Sequence, residues 1–323
     1  MKKTAVAHTN IALIKYWGKR DEKLILPANS SLSLTLDQFY TKTTVEWRTD
    51  LDADRFVLDG EELQDAKVTR FMEIIRKQFA TQQYASIVSE NHVPTAAGLA
   101  SSASAFAALS AAATAALGYD LSNEELSKLA RQGSGSASRS IYGDFAIWEK
   151  GALADGSDSF AHPLHSNLTK EIAMVVAVVS DKKKKVSSRV GMKSTVETSP
   201  FFTAWIERSA VDLEDMKRAL SAGDFVKVGE IAERNAMRMH ATTLGAEPPF
   251  TYFQPLSLEI MDIVREMRHN GIPAYFTMDA GPNVKVICLR KDEQQIQTRL
   301  KEIISQVYIC HAGEGVKVVN EDE

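Results

Sequence analysis

Five clusters of residues in this sequence could do chemistry: four could hold anions, and the fifth supplies an acid. The first is Pro94-Thr-Ala-Ala97-Gly98-Leu99-Ala100-Ser101-Ser102-Ala-Ser104, a loop of small residues opening an Ala-rich helix that should run to about Leu117. The first N–H groups of a helix lack internal partners, and the peptide dipole makes that end electropositive. Gly98 lets a bulky anion approach the backbone. The hydroxyls of Ser101, Ser102 and Ser104 can bond phosphate oxygens or complete a Mg²⁺ shell. No lysine follows the glycine, so this is not the Gly-x-x-x-x-Gly-Lys-Ser/Thr nucleotide loop. The same residues also suit a small-residue helix packed tightly in a core.

Two lysines and an asparagine interrupt the apolar run Asn10-Ile-Ala-Leu-Ile-Lys15-Tyr16-Trp17-Gly18-Lys19. By itself the run reads as an amphipathic surface strand with solvated lysines. The alternative turns Asn10, Tyr16 and the lysines toward an anionic ligand. Ser134-Gly135-Ser136-Ala-Ser138-Arg139-Ser140 is either a flexible surface loop or an arginine set among hydroxyls to clamp a carboxylate or phosphate bidentately. Asp181-Lys182-Lys183-Lys184-Lys185-Val-Ser187-Ser188-Arg189 directly follows a buried strand, and is either a solvated run or a lid over phosphates. Asp279-Ala280-Gly281-Pro282-Asn283 ends a strand, where turn chemistry alone accounts for an Asp. Together these groups suit a substrate carrying several phosphates and a carboxylate, with one acid to take a proton. Phosphoryl transfer needs mainly positioning, charge neutralisation, Mg²⁺ and a residue that orients the attacking hydroxyl.

The elements that must position these groups mix strand and helix without a regular βαβ repeat, so the fold class is α+β. Strands are expected over 3–8, 27–36, 40–47, 56–63, 84–90, 145–148, 172–179, 275–278, 284–289 and 307–310. Helices are expected over 67–79, 201–220, 225–239, 256–269 and 295–304. Ser122 with Glu125 at the capping-box position starts a further helix ending near Gly133. The chain has 323 residues, enough for two domains divided at 181/182, and 44% hydrophobic with 25% charged is ordinary for a globular protein. A formal net charge of −4 argues against a surface devoted to nucleic acid. Cys288 and Cys310 lie in apolar strand contexts, without metal-ligand spacing, and suit a reducing compartment. The seven histidines form no HxH or HExxH pattern, and no Gly-x-Ser-x-Gly elbow is present. The opening Met-Lys-Lys resembles a secretion signal, but His8, Asn10, Lys15 and Lys19 interrupt any apolar core, so a cytoplasmic protein is expected.

The helix motif resembles the phosphate loop of the GHMP small-molecule kinase superfamily. Four stretches, 10–19, 98–103, 133–140 and 278–283, are similar in kind and order to the diphosphomevalonate decarboxylase family, across nearly the whole length. The resemblance implies a two-domain GHMP kinase fold. Residues 1–181 would form a ribosomal protein S5 domain 2-like half and residues 182–323 a ferredoxin-like half, with ATP and substrate at their junction. It implies ATP-dependent phosphorylation of the 3-hydroxyl of mevalonate 5-diphosphate, then loss of phosphate and CO₂ to give isopentenyl diphosphate. Asp279 would be the base or orienter of that hydroxyl. Arg139 would hold the carboxylate beside Asn10, with Lys15 completing the catalytic set. Tyr16, Lys19, Ser134, Ser136, Ser188, Arg189 and Ala280 would bind the substrate. Pro94, Ala97, Gly98, Leu99, Ala100, Ser101, Ser102 and Ser104 would cradle ATP with Lys183 and Lys185, and Ser102 would lie near Mg²⁺. A homodimer is also implied, with no membrane or nucleic-acid partner. The rivals are a 3-kinase or a monophosphate-preferring decarboxylase on the same fold, and a nucleotide-binding regulatory module that has lost catalysis; the intact Asp279, Arg139 and Lys15 argue against the kinase, and the whole acid and phosphate loop against the module.

Overall fold

The computed structural model describes residues 1–92, 101–180, 182 and 184–319, Ser101 by its backbone alone. The first part of the chain runs β1 (Lys2–Ile14), β2 (Lys19–Asp21), β3 (Leu26–Pro27), β4 (Ser31–Arg48), β5 (Arg55–Leu58), β6 (Glu61–Leu63), α1 (Ala66–Gln78) and β7 (Tyr84–His92). Next come α2 (Ser101–Ala116), α3 (Asn123–Gly133), a 3₁₀ segment (Gly135–Ile141), β8 (Phe145–Trp148), β9 (Ala161–Leu164) and β10 (Ile172–Ala177). The rest is α4 (Ser188–Thr198), α5 (Phe202–Ala222), α6 (Phe225–Leu244), α7 (Pro255–His269), β11 (Ala274–Met278), β12 (Val284–Leu289), α8 (Glu293–Lys301), β13 (Val307–Cys310) and β14 (Lys317–Val319).

Among the described residues two sheets carry the molecule. The larger has the order β14-β1-β4-β7-β5-β6, with β8 on β4 and β9 on β8; the smaller is antiparallel, β11-β12-β10-β13. The apolar run expected to be a central strand is β10, and its alternation explains why it is apolar throughout. Ile172, Met174 and Val176 face a core shared with β1, β4, α5 and α6, while Ala173, Val175 and Ala177 face a second core under α7 and α8. A strand covered on both faces needs no polar side. The shared core is what joins the halves. Neither sheet respects the expected division at 181/182: β10 belongs to the smaller sheet, and β14 closes the edge of the larger one against β1.

Local signals account for most boundaries. Ser122 and Glu125 form the capping box of α3, and Gly223 ends α5 with a φ of 69°, a left-handed turn that glycine adopts without strain. Pro255 starts α7 at a position where no amide donor is needed. Three readings change. β4 is one strand where two were expected. Helix α4 forms just beyond the lysine run, where no helix was expected. Finally, Gly135–Ile141 is not a surface loop: it is a 3₁₀ segment with Ala137 to Ile141 buried. The Ala-rich helix α2 also buries more than one face. Ala103, Ser104 and Phe106–Thr114 are all buried, because side chains this small let the sheet, α3 and the 3₁₀ segment all pack close.

Candidate active site

The end of β1, the 3₁₀ segment, the start of α4 and the turn after β11 surround a cleft of about 200 Å³. Its floor is an ion triad. Lys15 Nζ lies 2.7 Å from Asp279 Oδ1, and Lys285 Nζ lies 3.1 Å from Asp279 Oδ2. Lys15 also donates to the Ala12 carbonyl at 2.7 Å. Both lysines are fully buried, while the carboxylate keeps 27% of its surface open to the cleft. Desolvation pushes the Asp279 carboxyl up, but the charges and hydrogen bonds of Lys15 and Lys285 outweigh it and hold the group well below the usual carboxylate range. Burial pulls Lys15 down to about 8, against the attraction of Asp279 and helped by the repulsion of Lys285. Two ammonium groups against one carboxylate leave the buried triad with an excess positive charge.

Arg139 adds to that excess. Its Nε donates to Ser33 Oγ at 3.0 Å, and its two terminal nitrogens donate to Ser31 Oγ at 2.5 Å and to Asn10 Oδ1 at 3.2 Å. Burial lowers its pKa to about 10, which still leaves it charged at neutral pH. Asn10 in turn donates to the Ser136 carbonyl at 3.0 Å and to Ser140 Oγ at 2.8 Å, tying β1 to the 3₁₀ segment. The buried hydroxyls of Ser31 and Ser33 on β4, together with the Asn10 amide, therefore orient the arginine. A guanidinium bonded to neutral oxygens is poised for an anion entering the cleft.

Around the floor, Tyr16 packs edge-on against Trp148 at 4.8 Å between centroids, and its phenol oxygen is buried without a partner. Burial pushes that phenol up, so it is a donor at neutral pH. Lys19 pairs with Glu22 at 2.6 Å on the rim. Ser134 Oγ donates to Ser102 Oγ at 3.2 Å and lies 3.3 Å from Ser136 Oγ. Ser188, exposed Arg189 and Ala280 complete the expected substrate set along the lining. Beneath it lies His240, buried and lowered to about 3 first by desolvation, hence a neutral imidazole.

The structure brings Asn10, Lys15, Tyr16, Lys19, Ser102, Ser134, Ser136, Arg139, Ser188, Arg189, Asp279 and Ala280 to one cleft. Pro94, Ala97, Gly98, Leu99, Ala100, the Ser101 side chain and Lys183 lie outside the described residues. Ser104 turns elsewhere: it is buried, 2.8 Å from Thr41 Oγ1 and 3.4 Å from Thr9 Oγ1, inside the contact between α2 and the sheet. Lys185 is exposed and does not line the cleft. Lys184 is the neighbour that leans in, half-buried, with its side chain beside Gly281, where a Cβ would meet Lys184 Cε at 3.3 Å. Burial lowers its pKa, as does Lys285, with Asp279 opposing.

Sequence reasoning missed Lys285, Ser31 and Ser33. Lys285 carried a usable signal, a lysine inside an apolar strand, the same oddity that marked Lys15. Ser31 and Ser33 alternate with apolar residues like any half-buried strand, and nothing in their spacing announces an arginine.

Among the described residues no three His, Cys, Asp or Glu converge as a metal cage. Mg²⁺ keeps most of its water and takes one or two protein oxygens plus substrate phosphates. The Ser102–Ser134 hydroxyl pair in the cleft is a donor set of that kind. No described helix is long and apolar enough to cross a membrane.

A mixed-order sheet and an antiparallel four-stranded sheet sharing one core, with a cationic cleft between them, define a two-domain GHMP-type fold. Family models for the diphosphomevalonate decarboxylase-like N-terminal domain and the mevalonate 5-diphosphate decarboxylase C-terminal domain match residues 7–161 and 174–319. The chain belongs to the diphosphomevalonate decarboxylase family. It is 39% identical over 318 residues to a diphosphomevalonate decarboxylase of Ganoderma lucidum, covering 91% of this chain and 80% of that one. A solved structure of mevalonate diphosphate decarboxylase from Staphylococcus aureus is 48% identical, with a TM-score of 0.95 over 99% of this chain and 98% of that one. Another, of MDDEF in complex with MVAPP, AMPPCP and magnesium, is 50% identical, with a TM-score of 0.95 over 99% of both chains.

Proposed function

We propose that this cleft performs the ATP-dependent decarboxylation of mevalonate 5-diphosphate to isopentenyl diphosphate, with Asp279 orienting the 3-hydroxyl. The observation that carries the reading is the triad: one carboxylate, open to the cleft and fixed between two buried lysines. A relative that binds MVAPP, AMPPCP and magnesium supports the choice of substrate, nucleotide and metal.

The chemistry divides into two steps. The 3-hydroxyl oxygen attacks the γ-phosphorus of ATP, the bond from that phosphorus to the β-phosphate oxygen breaks, ADP leaves, and the hydroxyl proton passes by way of Asp279 to solvent. The phosphate on C3 then departs with its electron pair, while the C1–C2 bond electrons become the C2=C3 double bond and C1 leaves as CO₂. A carboxylate held below its usual range is a weak base, so Asp279 acts first as a hydrogen-bond acceptor that aims the hydroxyl. Its fixed negative charge then faces the positive charge that develops at C3. Arg139 grips the substrate carboxylate, helped by Asn10. Tyr16, Lys19, Ser134, Ser136, Ser188, Arg189 and Ala280 hold the diphosphate end. The start of α2, with residues 94–100 before it, and the lysine run receive the ATP phosphates, Lys184 being best placed of the described lysines. Mg²⁺ held by Ser102 would neutralise phosphate charge in the first step.

A homodimer in the cytoplasm belongs to the same reading. The free, buried thiols of Cys288 and Cys310 suit that compartment, and sedimentation velocity checks the dimer. Carboxyl-labelled mevalonate 5-diphosphate with MgATP tests the function. CO₂ and ADP should appear in equal amounts. ADP without CO₂ makes the protein a 3-kinase, and neither product overturns the substrate assignment.

A further inference from the structure

Lys15 owes its place to groups that do not line the cleft. Its backbone N–H donates to Asn235 Oδ1 at 2.8 Å, and its carbonyl accepts from Asn29 Nδ2 at 2.7 Å. Asn29 Nδ2 also donates to Ser209 Oγ on α5 at 3.0 Å, and Asn29 Oδ1 accepts from the Trp17 N–H at 3.4 Å. Trp17's own carbonyl accepts from Trp205 Nε1 at 3.2 Å. The chain leaving β1 is therefore clamped on both sides.

Asn235 could present either end of its amide to Lys15, and Asp212 decides which. A carboxylate only accepts, so Asn235 Nδ2 turns to Asp212 Oδ2, at 3.0 Å, and Oδ1 is left for the Lys15 N–H. Asp212 is itself 1% exposed and is held by Arg234 Nε at 3.0 Å and by Arg238, whose terminal nitrogen lies 2.9 Å from both carboxylate oxygens. On α6, Arg238 lies three residues from Asn235 and four from Arg234, and all three reach Asp212 on α5. Leaving one of these buried partners unmatched would expose a desolvated amide or carboxylate with no acceptor or donor, so the chain holds as a unit.

We infer that Asp212 and Asn235 are positioning residues for catalysis: through the Lys15 backbone they aim the Lys15 ammonium at Asp279, coupling the packing of α5 on α6 to the charge at the reacting centre. The inference rests on the decarboxylase reading above for what that charge does, but its test does not depend on turnover alone. Asn235→Leu removes both amide contacts at similar volume. It should lower kcat by roughly 10- to 100-fold while the KM for each substrate stays within about 3-fold. Loosened from Asp279, Lys15 loses the attraction that opposes its desolvation, so the alkaline limb of kcat should move to lower pH. In a Lys15→Met background the same substitution should cost nothing further, because its route is already cut. Asp212→Asn frees the amide to flip and should move the limb in the same direction by less, which keeps the test intact if the leucine variant does not fold.

The ε-¹³C resonance of Lys15, assigned by its loss in Lys15→Met, reads the titration without any catalysis. A lowered Lys15 titration with no CO₂ released by the parent protein would leave the positioning standing and the function wrong. Wild-type kcat and an unmoved Lys15 titration in folded Asn235→Leu, or losses that multiply in the Lys15→Met background, would overturn the positioning.

Discussion

Replacing Lys285 with methionine should let Lys15 keep its proton to higher pH. Both ammonium groups grip the same carboxylate, Lys15 at 2.7 Å and Lys285 at 3.1 Å, on different oxygens. That geometry sets them on the order of 5 Å apart. Two unit charges at that distance, in an effective dielectric of about 20, repel by about 3 kcal/mol, or roughly two pKa units. Asp279 is partly open to solvent, which screens some of this, so an upward move of one to two units from the value of about 8 is expected. The sign follows directly. The charged form of Lys15 that steadies Asp279 is present below about pH 8 and is lost above it. Taking away a neighbouring positive charge favours the ammonium, so the alkaline limb of kcat/KM should rise with the Lys15 titration. Lys285→Arg keeps the charge and should leave the limb near its wild-type place. The assay is CO₂ release between pH 6 and 11, paired with the ε-¹³C lysine titration. A limb that stays put or falls in folded Lys285→Met would refute the view that these lysines compete for one carboxylate.

Arg139→Met should cut kcat/KM by about 100-fold, the equivalent of about 3 kcal/mol for a lost charge-assisted contact. Its described hydrogen bonds go to buried Ser31, Ser33 and Asn10, whose oxygens would lose a donor, so urea unfolding should also show a loss of about 1–3 kcal/mol. Gly229→Ala should destabilise by about 1–3 kcal/mol in urea unfolding, since overpacking forces neighbours to shift. Its Cβ would lie 2.0 Å from Tyr275 Cδ2, between α6 and β11. Activity should fall with it, because β11 leads straight into Asp279.

The parts of the site that sequence could reveal were those that broke a local rule. Lys15 and Asn10 stood out because a polar group inside an apolar strand contradicts the usual solvated fate of lysine, and the structure buries both. Reading that run alone as a surface strand failed because the residues that receive them are distant: Asp279 is 264 residues from Lys15, and Ser140 is 130 from Asn10. The 3₁₀ segment shows the same limit. Ser and Gly give a loop by propensity, whereas the burial that orders it comes from α2, α3 and the sheet. Asp212 and Asn235 carried no signal at all, since an Asp and an Asn on long helices look like ordinary surface residues until the two helices are packed. Helix caps and the doubly buried β10 were legible because their causes lie within a few residues of each other.

The central claim is that Asp279, held ionised by two lysines, aims the hydroxyl and not merely the fold. Asp279→Asn keeps the size and one acceptor oxygen but removes the charge. Calorimetric binding of mevalonate 5-diphosphate and ATP, with labelled CO₂ release on the same samples, tests it most directly. Binding should be as tight as wild type or tighter, because the cationic cleft loses an opposing charge, with turnover down by about 1,000-fold, or about 4 kcal/mol. Turnover near the wild-type rate would contradict it.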